Sequence, residues 1–140
     1  MKILAVDPGL RKIGLAVSDP TGTAARALTV LEHISIARDS ARIIEAAESE
    51  QAERILVGSS HEPGNRMDQQ THFTHKLLAA LRSSASIPVD LYDESFSTQR
   101  AQEVRRLRAD RRKVRRRADD SLAAAAFLQE YLDAQVESSN

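Results

Sequence analysis

A chain of 140 residues with ordinary apolar content is long enough to bury one core and too short for two full domains. It contains no cysteine, which excludes a disulfide framework and thiolate metal sites and fits a reducing cytoplasm, and no run of about eighteen apolar residues predicts a membrane span. Twenty basic and twenty acidic side chains cancel, so any electrostatic signal lies in their placement.

Residues 2–6 form a short apolar run closed by Asp7-Pro8-Gly9, a buried strand followed by a tight turn. The run reaches Asp7 too soon for the apolar core of a signal peptide, so none is expected. Residues 12–18 read as the returning strand of a hairpin, Asp19-Pro20-Thr21-Gly22 as a second turn, and Ala27–Leu31 as a third strand. Gly9 and Gly14 are expected to serve tight backbone geometry. The period then changes. Asp39 or Ser40 can cap a helix carrying Ile43, Ile44 and Ala47. Residues 54–58 are strand-like and end at Gly58. Phe73, Leu77 and Leu81, with Leu78 alongside, have helical spacing, and residues 87–92 read as a strand ending before Asp93-Glu94. Ser97 or Thr98 can cap a helix whose stripe is Ala101, Val104 and Leu107. A last helix, about 119–134, is almost wholly apolar from Leu122 to Leu128 and so should be packed on several sides. An antiparallel meander followed by alternating helices and strands implies an α/β fold. Its one five-stranded mixed sheet would be antiparallel through the first three strands, parallel at the fourth and fifth, and flanked by helices.

Charge is concentrated near the C-terminus. Arg105, Arg106, Arg108, Arg111, Arg112, Lys113, Arg115, Arg116 and Arg117 stand against one acid, Asp110, in that stretch. Such a run is either a solvated basic loop or a surface for a phosphate backbone, which basic clusters bind without sequence preference.

Three carboxylates occupy positions that chain geometry can unite: Asp7 after the first strand, Glu94 after the last, and Asp120 at the start of the final helix. Parallel first and last strands would project Asp7 and Glu94 from one end of the sheet, where open α/β sheets place ligands. Clustered carboxylates repel and require a cation. Oxygen ligands select Mg²⁺ or Mn²⁺, and two such ions about 4 Å apart can clamp the attacking and leaving oxygens of a phosphodiester. Singly, each acid is as well read as a turn former or helix cap, and Asp93 and Asp119 compete with their neighbours.

Residues 7–19, Asp-Pro-Gly-Leu-Arg-Lys-Ile-Gly-Leu-Ala-Val-Ser-Asp, resemble the opening motif of the YqgF/RuvX family. Asp93-Glu94-Ser95-Phe96-Ser97-Thr98 followed by Ala101 resembles its second motif, and Asp120-Ser121-Leu122-Ala123-Ala124 with Leu128-Gln129 and Tyr131-Leu132 its third. The register selects Glu94 over Asp93 and Asp120 over Asp119. Ser95 stands where the family carries Arg, and the stretch after Gly58 departs from the family's Gly-Leu-Pro, although Gly58 itself matches.

The resemblance implies an RNase H-like nuclease domain over residues 1–136, followed by a polar tail, 137–140. It implies catalysis by Asp7, Glu94 and Asp120 holding two Mg²⁺ or Mn²⁺ ions, with Asp93, Ser97 and Thr98 in support. It also implies a substrate that is either structured pre-16S rRNA or a branched DNA junction, a cytoplasmic location, and homodimers in some members. Arg11 either contacts substrate or pairs with Asp19. His72 and His75, three apart on a helix without an evident acidic partner, read as surface residues rather than ligands. His61 reads as a loop residue or a proton-transfer group. Tyr92 and Phe96 read as core packing rather than base-stacking platforms. A nucleotide-binding module of the actin or sugar-kinase kind would need a second domain. A purely binding domain would gain nothing from three acids beside phosphate.

Overall fold

The computed structural model describes residues 1–59, 69–93 and 120–139. Five strands, β1 (Ile3–Asp7), β2 (Lys12–Ser18), β3 (Ala25–Glu32), β4 (Arg54–Ser59) and β5 (Val89–Asp93), form one sheet in the order β3-β2-β1-β4-β5. β1 pairs antiparallel with β2 and β2 with β3, while β1–β4 and β4–β5 are parallel. The mixed sheet expected from the change of period is therefore present. β1 is central and buried throughout, which explains why it reads as a continuous apolar run rather than an alternating one.

Helices α1 (Ile36–Ser49) and α2 (Gln69–Ser84) cover one face, where Leu4, Val6, Ile13, Leu15, Ile55, Val57 and Val89 meet Ile43, Phe73, Leu77 and Leu81. Helix α3 (Asp120–Ser139) covers the other, where Ile3, Ala5, Ala16 and Leu56 meet Ala124, Phe127, Leu128 and Leu132. The strand period of two assigns alternate residues of each strand to these two cores.

Several boundaries differ from the sequence expectation. Ser35, not Asp39 or Ser40, caps α1, its hydroxyl accepting from the Arg38 amide at 3.2 Å. Asp39 instead lies fully buried in the first turn, where it accepts from the Ile34 amide at 3.0 Å and ties down the β3–α1 connection. β3 is longer at both ends than 27–31, because β2 offers a backbone partner along its whole length, with an irregularity between Leu15 and Ala16. β5 begins two residues later than expected and includes Asp93, which pairs with Ser59 of β4. α3 continues to Ser139, into the segment expected as a polar tail. The helix expected after Ser97 or Thr98 lies outside the described residues.

Candidate functional site

Asp7 is the last residue of β1 and only 8% exposed. It follows Ile3 and Ala5 at alternate positions and so stands on the α3 face of the sheet. Its cross-strand partner on β2 is Gly14. On the other side Val6 pairs with Val57, so the next residue of β4 level with Asp7 is Gly58. The carboxylate is thus flanked in the sheet by two positions without side chains. The signal for Gly14 and Gly58 was in the sequence; the hairpin register sets Gly14 beside Asp7, whereas Gly58 reaches it only through the pairing of β1 with the distant β4.

The turn after Asp7 is held from three sides. A Cβ on Gly9 would stand 2.3 Å from the Lys12 carbonyl oxygen, so only glycine fits without a backbone shift. The Gln70 side-chain amide, at the start of α2, donates to the Pro8 carbonyl. The His33 amide donates to the Arg11 carbonyl at 2.8 Å, joining the end of β3 to the same turn.

Asp120 is the first residue of α3. Nine residues on, the Gln129 amide group accepts from the Ala25 amide and donates to the Thr23 carbonyl, both at 2.9 Å, near the start of β3. The start of β3 pairs with the end of β2, away from the Asp7 turn, so this side chain pins the later part of α3 at the far end of the sheet. Tyr92, level with Gly58 on β5, stacks on Phe127 at a centroid distance of 5.9 Å and meets Tyr131 edge-on at 5.7 Å. It packs in the core, as expected, and fixes β5 to α3.

Arg11 is exposed in the β1–β2 turn and does not pair with Asp19. The two flank the seven-residue strand β2, which separates them by roughly 20 Å. Asp19 instead accepts from the Thr23 amide at 2.7 Å, the Ala24 amide at 3.4 Å and the Thr21 hydroxyl at 3.0 Å. The Thr23 amide is the main cause that holds its carboxyl below the usual value; desolvation opposes it, and the Thr21 hydroxyl helps. His72 and His75 are exposed on α2. Asp93 ends β5. Glu94, Ser97, Thr98, Phe96, His61 and the basic stretch Arg105–Arg117 lie outside the described residues.

Sequence reading missed one cluster at this end of the sheet. Buried Asp39 receives His33 Nδ1 and an Arg42 guanidinium nitrogen, the latter at 3.3 Å, besides the Ile34 amide. Arg42 also donates to the Glu32 carbonyl. An acid read as a helix cap gives no local sign that it is the hydrogen-bond partner of a histidine six residues earlier.

The model of a family described as RuvX, Holliday junction resolvase, matches residues 1–134. The chain belongs to the RuvX family. Among curated relatives of this RuvX chain, one from Symbiobacterium thermophilum is 36% identical over 137 residues, covering 97% of this chain and 94% of the relative. Another, from Syntrophomonas wolfei, is 34% identical over 134 residues, covering 95% and 94%. Both bear the name "Putative pre-16S rRNA nuclease". Two solved structures share the RuvX chain's fold. RuvC of Thermus thermophilus superposes with a TM-score of 0.62 at 19% identity, covering 98% of this chain and 97% of RuvC. The fowlpox virus Holliday junction resolvase superposes at 0.54 and 11% identity, covering 96% and 99%. The architecture is that of the RNase H-like group.

Proposed function

We propose that this RuvX-family chain is a divalent-metal-dependent nuclease that hydrolyses a phosphodiester of the 16S rRNA precursor, in one RNase H-like domain acting in the cytoplasm. The observation that carries the reading is the setting of Asp7. It is a nearly buried acid at the carboxyl end of the central strand, flanked by Gly14 and Gly58, on the face covered by a helix that begins at Asp120. Open α/β sheets bind ligands at the carboxyl ends of their strands. A buried acid flanked by glycines leaves room for a hydrated cation and a phosphate, and its oxygen donors suit a hard ion.

Asp7, Glu94 and Asp120 would hold Mg²⁺ or Mn²⁺. Glu94 stands two positions after Tyr92, whose ring faces α3. Such ions, when bound, supply charge neutralisation and water activation for phosphodiester hydrolysis. The protein's own contribution is to hold the carboxylates in place. β1 and its paired neighbours fix Asp7, the Gln129 clasp and the Tyr92–Phe127 stack fix α3, and the Gln70–Pro8 bond fixes the β1–β2 turn that follows Asp7. Arg11 and the Arg105–Arg117 stretch would meet the substrate backbone, giving affinity that falls steeply with salt. Asp93, Ser97 and Thr98 would support Glu94, with either Ser97 or Thr98 capping the helix that follows.

A second reading is resolution of branched DNA, favoured by the description of the family model and the shared fold with RuvC. It requires two active sites related by a two-fold axis, hence a dimer. Labelled 16S leader RNA and a labelled four-way DNA junction, each with Mg²⁺ or Mn²⁺ and with chelator, test both readings. Metal-dependent cutting of the leader that Asp7→Asn abolishes is the expected result. Preferential cutting of the junction by a dimer would replace the first reading with the second, and cutting unaffected by Asp7→Asn would remove both.

A further inference from the structure

The proposed function leaves unused a groove between the β3–α1 turn and α2, lined by His33, Ser35, Ile36, Gln69, His72, Phe73 and Lys76. Its floor is apolar and its rim is polar. Phe73 is buried and meets the His33 ring edge-on at 4.7 Å. Gln69, His72 and Lys76 are exposed and lie on successive turns of α2, at spacings of three and four that place them along one face.

None of these described lining residues is a carboxylate. The acid beside His33, Asp39, is wholly buried behind it and engaged with Nδ1 of that ring. This contact fixes the imidazole and leaves Nε2 as the ring nitrogen for the groove. A rim of one ammonium, two imidazoles and an amide, over an aromatic and an aliphatic floor, matches a polynucleotide strand. The rim groups suit phosphate oxygens, and the floor suits a sugar or base. A peptide or lipid ligand would not explain the position of the groove. His33 is bonded to the Arg11 carbonyl and Gln70, next to Gln69, to the Pro8 carbonyl, so both walls join the turn that follows Asp7.

We infer that the groove walled by His33, His72 and Lys76 binds the RNA strand that leads away from the scissile phosphate, on the sheet face opposite α3. This inference rests on the nuclease reading for its choice of RNA. It assigns substrate contacts to α2 and the β3–α1 turn, in addition to the Arg105–Arg117 stretch.

The test is fluorescence anisotropy of labelled 16S leader RNA across a salt series, using the full chain carrying Asp7→Asn so that nothing is cut. Adding His72→Gln and Lys76→Gln together, both at exposed positions, should weaken binding by on the order of tenfold. The dependence of log affinity on log salt should flatten by about 0.7 for each phosphate that is no longer neutralised. Lys76→Arg alone should keep wild-type binding. Arg26→Gln, which removes an exposed charge at the far end of the sheet, should change neither quantity. Unchanged affinity and slope in the double variant, or an equal weakening with Arg26→Gln, would overturn the inference. So would failure of the RNA to bind the parent chain, or an effect seen only with a DNA junction. Cleavage by the chain with native Asp7 is scored separately. A chain that cuts RNA but ignores the groove variants keeps the nuclease reading and loses this one, and a chain that shows the groove effect without cutting loses the nuclease reading and overturns the placing of the groove beside a scissile phosphate, leaving an RNA-binding groove alone.

Discussion

The two faces of the sheet are built from different materials. On the α1–α2 side the strands present Leu4, Val6, Ile13, Leu15, Ile55 and Val57, and two helices add Ile43, Phe73, Leu77 and Leu81. On the α3 side Ile3 and Leu56 are the large apolar residues of the central strands, which otherwise present Ala5, Asp7, Gly14, Ala16 and Gly58, and a single helix answers with Ala123 and Ala124 before its larger residues Phe127 and Leu128. The large residues of the first face form a thick core whose work is stability. The small residues of the second leave the sheet beside Asp7 with little side-chain bulk, at the place proposed above for the chemistry. Bulk on one face and small residues on the other are thus separate requirements met by the same strands, through their alternating side chains.

The sharpest way to break this division is Asp7→Asn. If the α3 face is the chemical one, cleavage should fall by at least on the order of a thousandfold, the loss of several kcal/mol of charge stabilisation at the reaction centre. Melting temperature and RNA affinity should change little, measured by single-turnover cleavage beside thermal unfolding and anisotropy. A variant that unfolds, or that cuts normally, would erase the distinction. On the opposite face, Leu77→Ala removes a fully buried side chain and should cost about 2–5 kcal/mol in urea unfolding. Cleavage per folded molecule should stay unchanged. Loss of activity at constant folded fraction would show that the thick core also tunes the site.

Adding bulk under α3 gives a smaller and more diagnostic effect. Ala124 is fully buried among Ile3, Ala5 and Leu56, so Ala124→Leu should destabilise by about 1–3 kcal/mol. Because it lifts the helix that begins at Asp120, it should also lower cleavage per folded molecule. An effect on stability alone would separate helix spacing from catalysis.

The smallest expected effect lies away from both faces, at Asp19. Its carboxyl is held below the usual value chiefly by the Thr23 amide. A depressed folded-state value means that its stabilisation is fully present above the unfolded carboxylate range and is lost as pH falls through the lower folded value. The melting-temperature gap between the native chain and Asp19→Asn should therefore be open near neutral pH and close on acidification below the ordinary carboxylate range. A gap independent of pH would mean that the turn is held by neutral hydrogen bonds alone.

Much of the fold is legible in the chain itself. β1, β2 and β4, the helix carrying Phe73, Leu77 and Leu81, and the core role of Tyr92 all follow from apolar runs, period and turn residues. Where that reading failed, the path of the backbone overrode a match of side-chain chemistry between residues close in sequence. Asp39 has the chemistry of a helix cap, yet it is buried with His33 and Arg42 while Ser35 takes the cap. Arg11 and Asp19 are near in sequence but flank an extended strand and so cannot meet.

Short-range chemistry along the chain is enough to end a strand in an acid at Asp7, to require glycine at Gly9, and to start an almost wholly apolar helix near Asp120, because each depends on neighbours within a few residues. Folding alone brings Gly14 and Gly58 to either side of Asp7, anchors the final helix through Gln129 at the opposite end of the sheet, and sets His33 and Lys76 along one groove. Apart from the β1–β2 hairpin that sets Gly14 beside Asp7, those arrangements come from strand register and helix docking between segments tens of residues apart, and no local period records which distant residues will become neighbours.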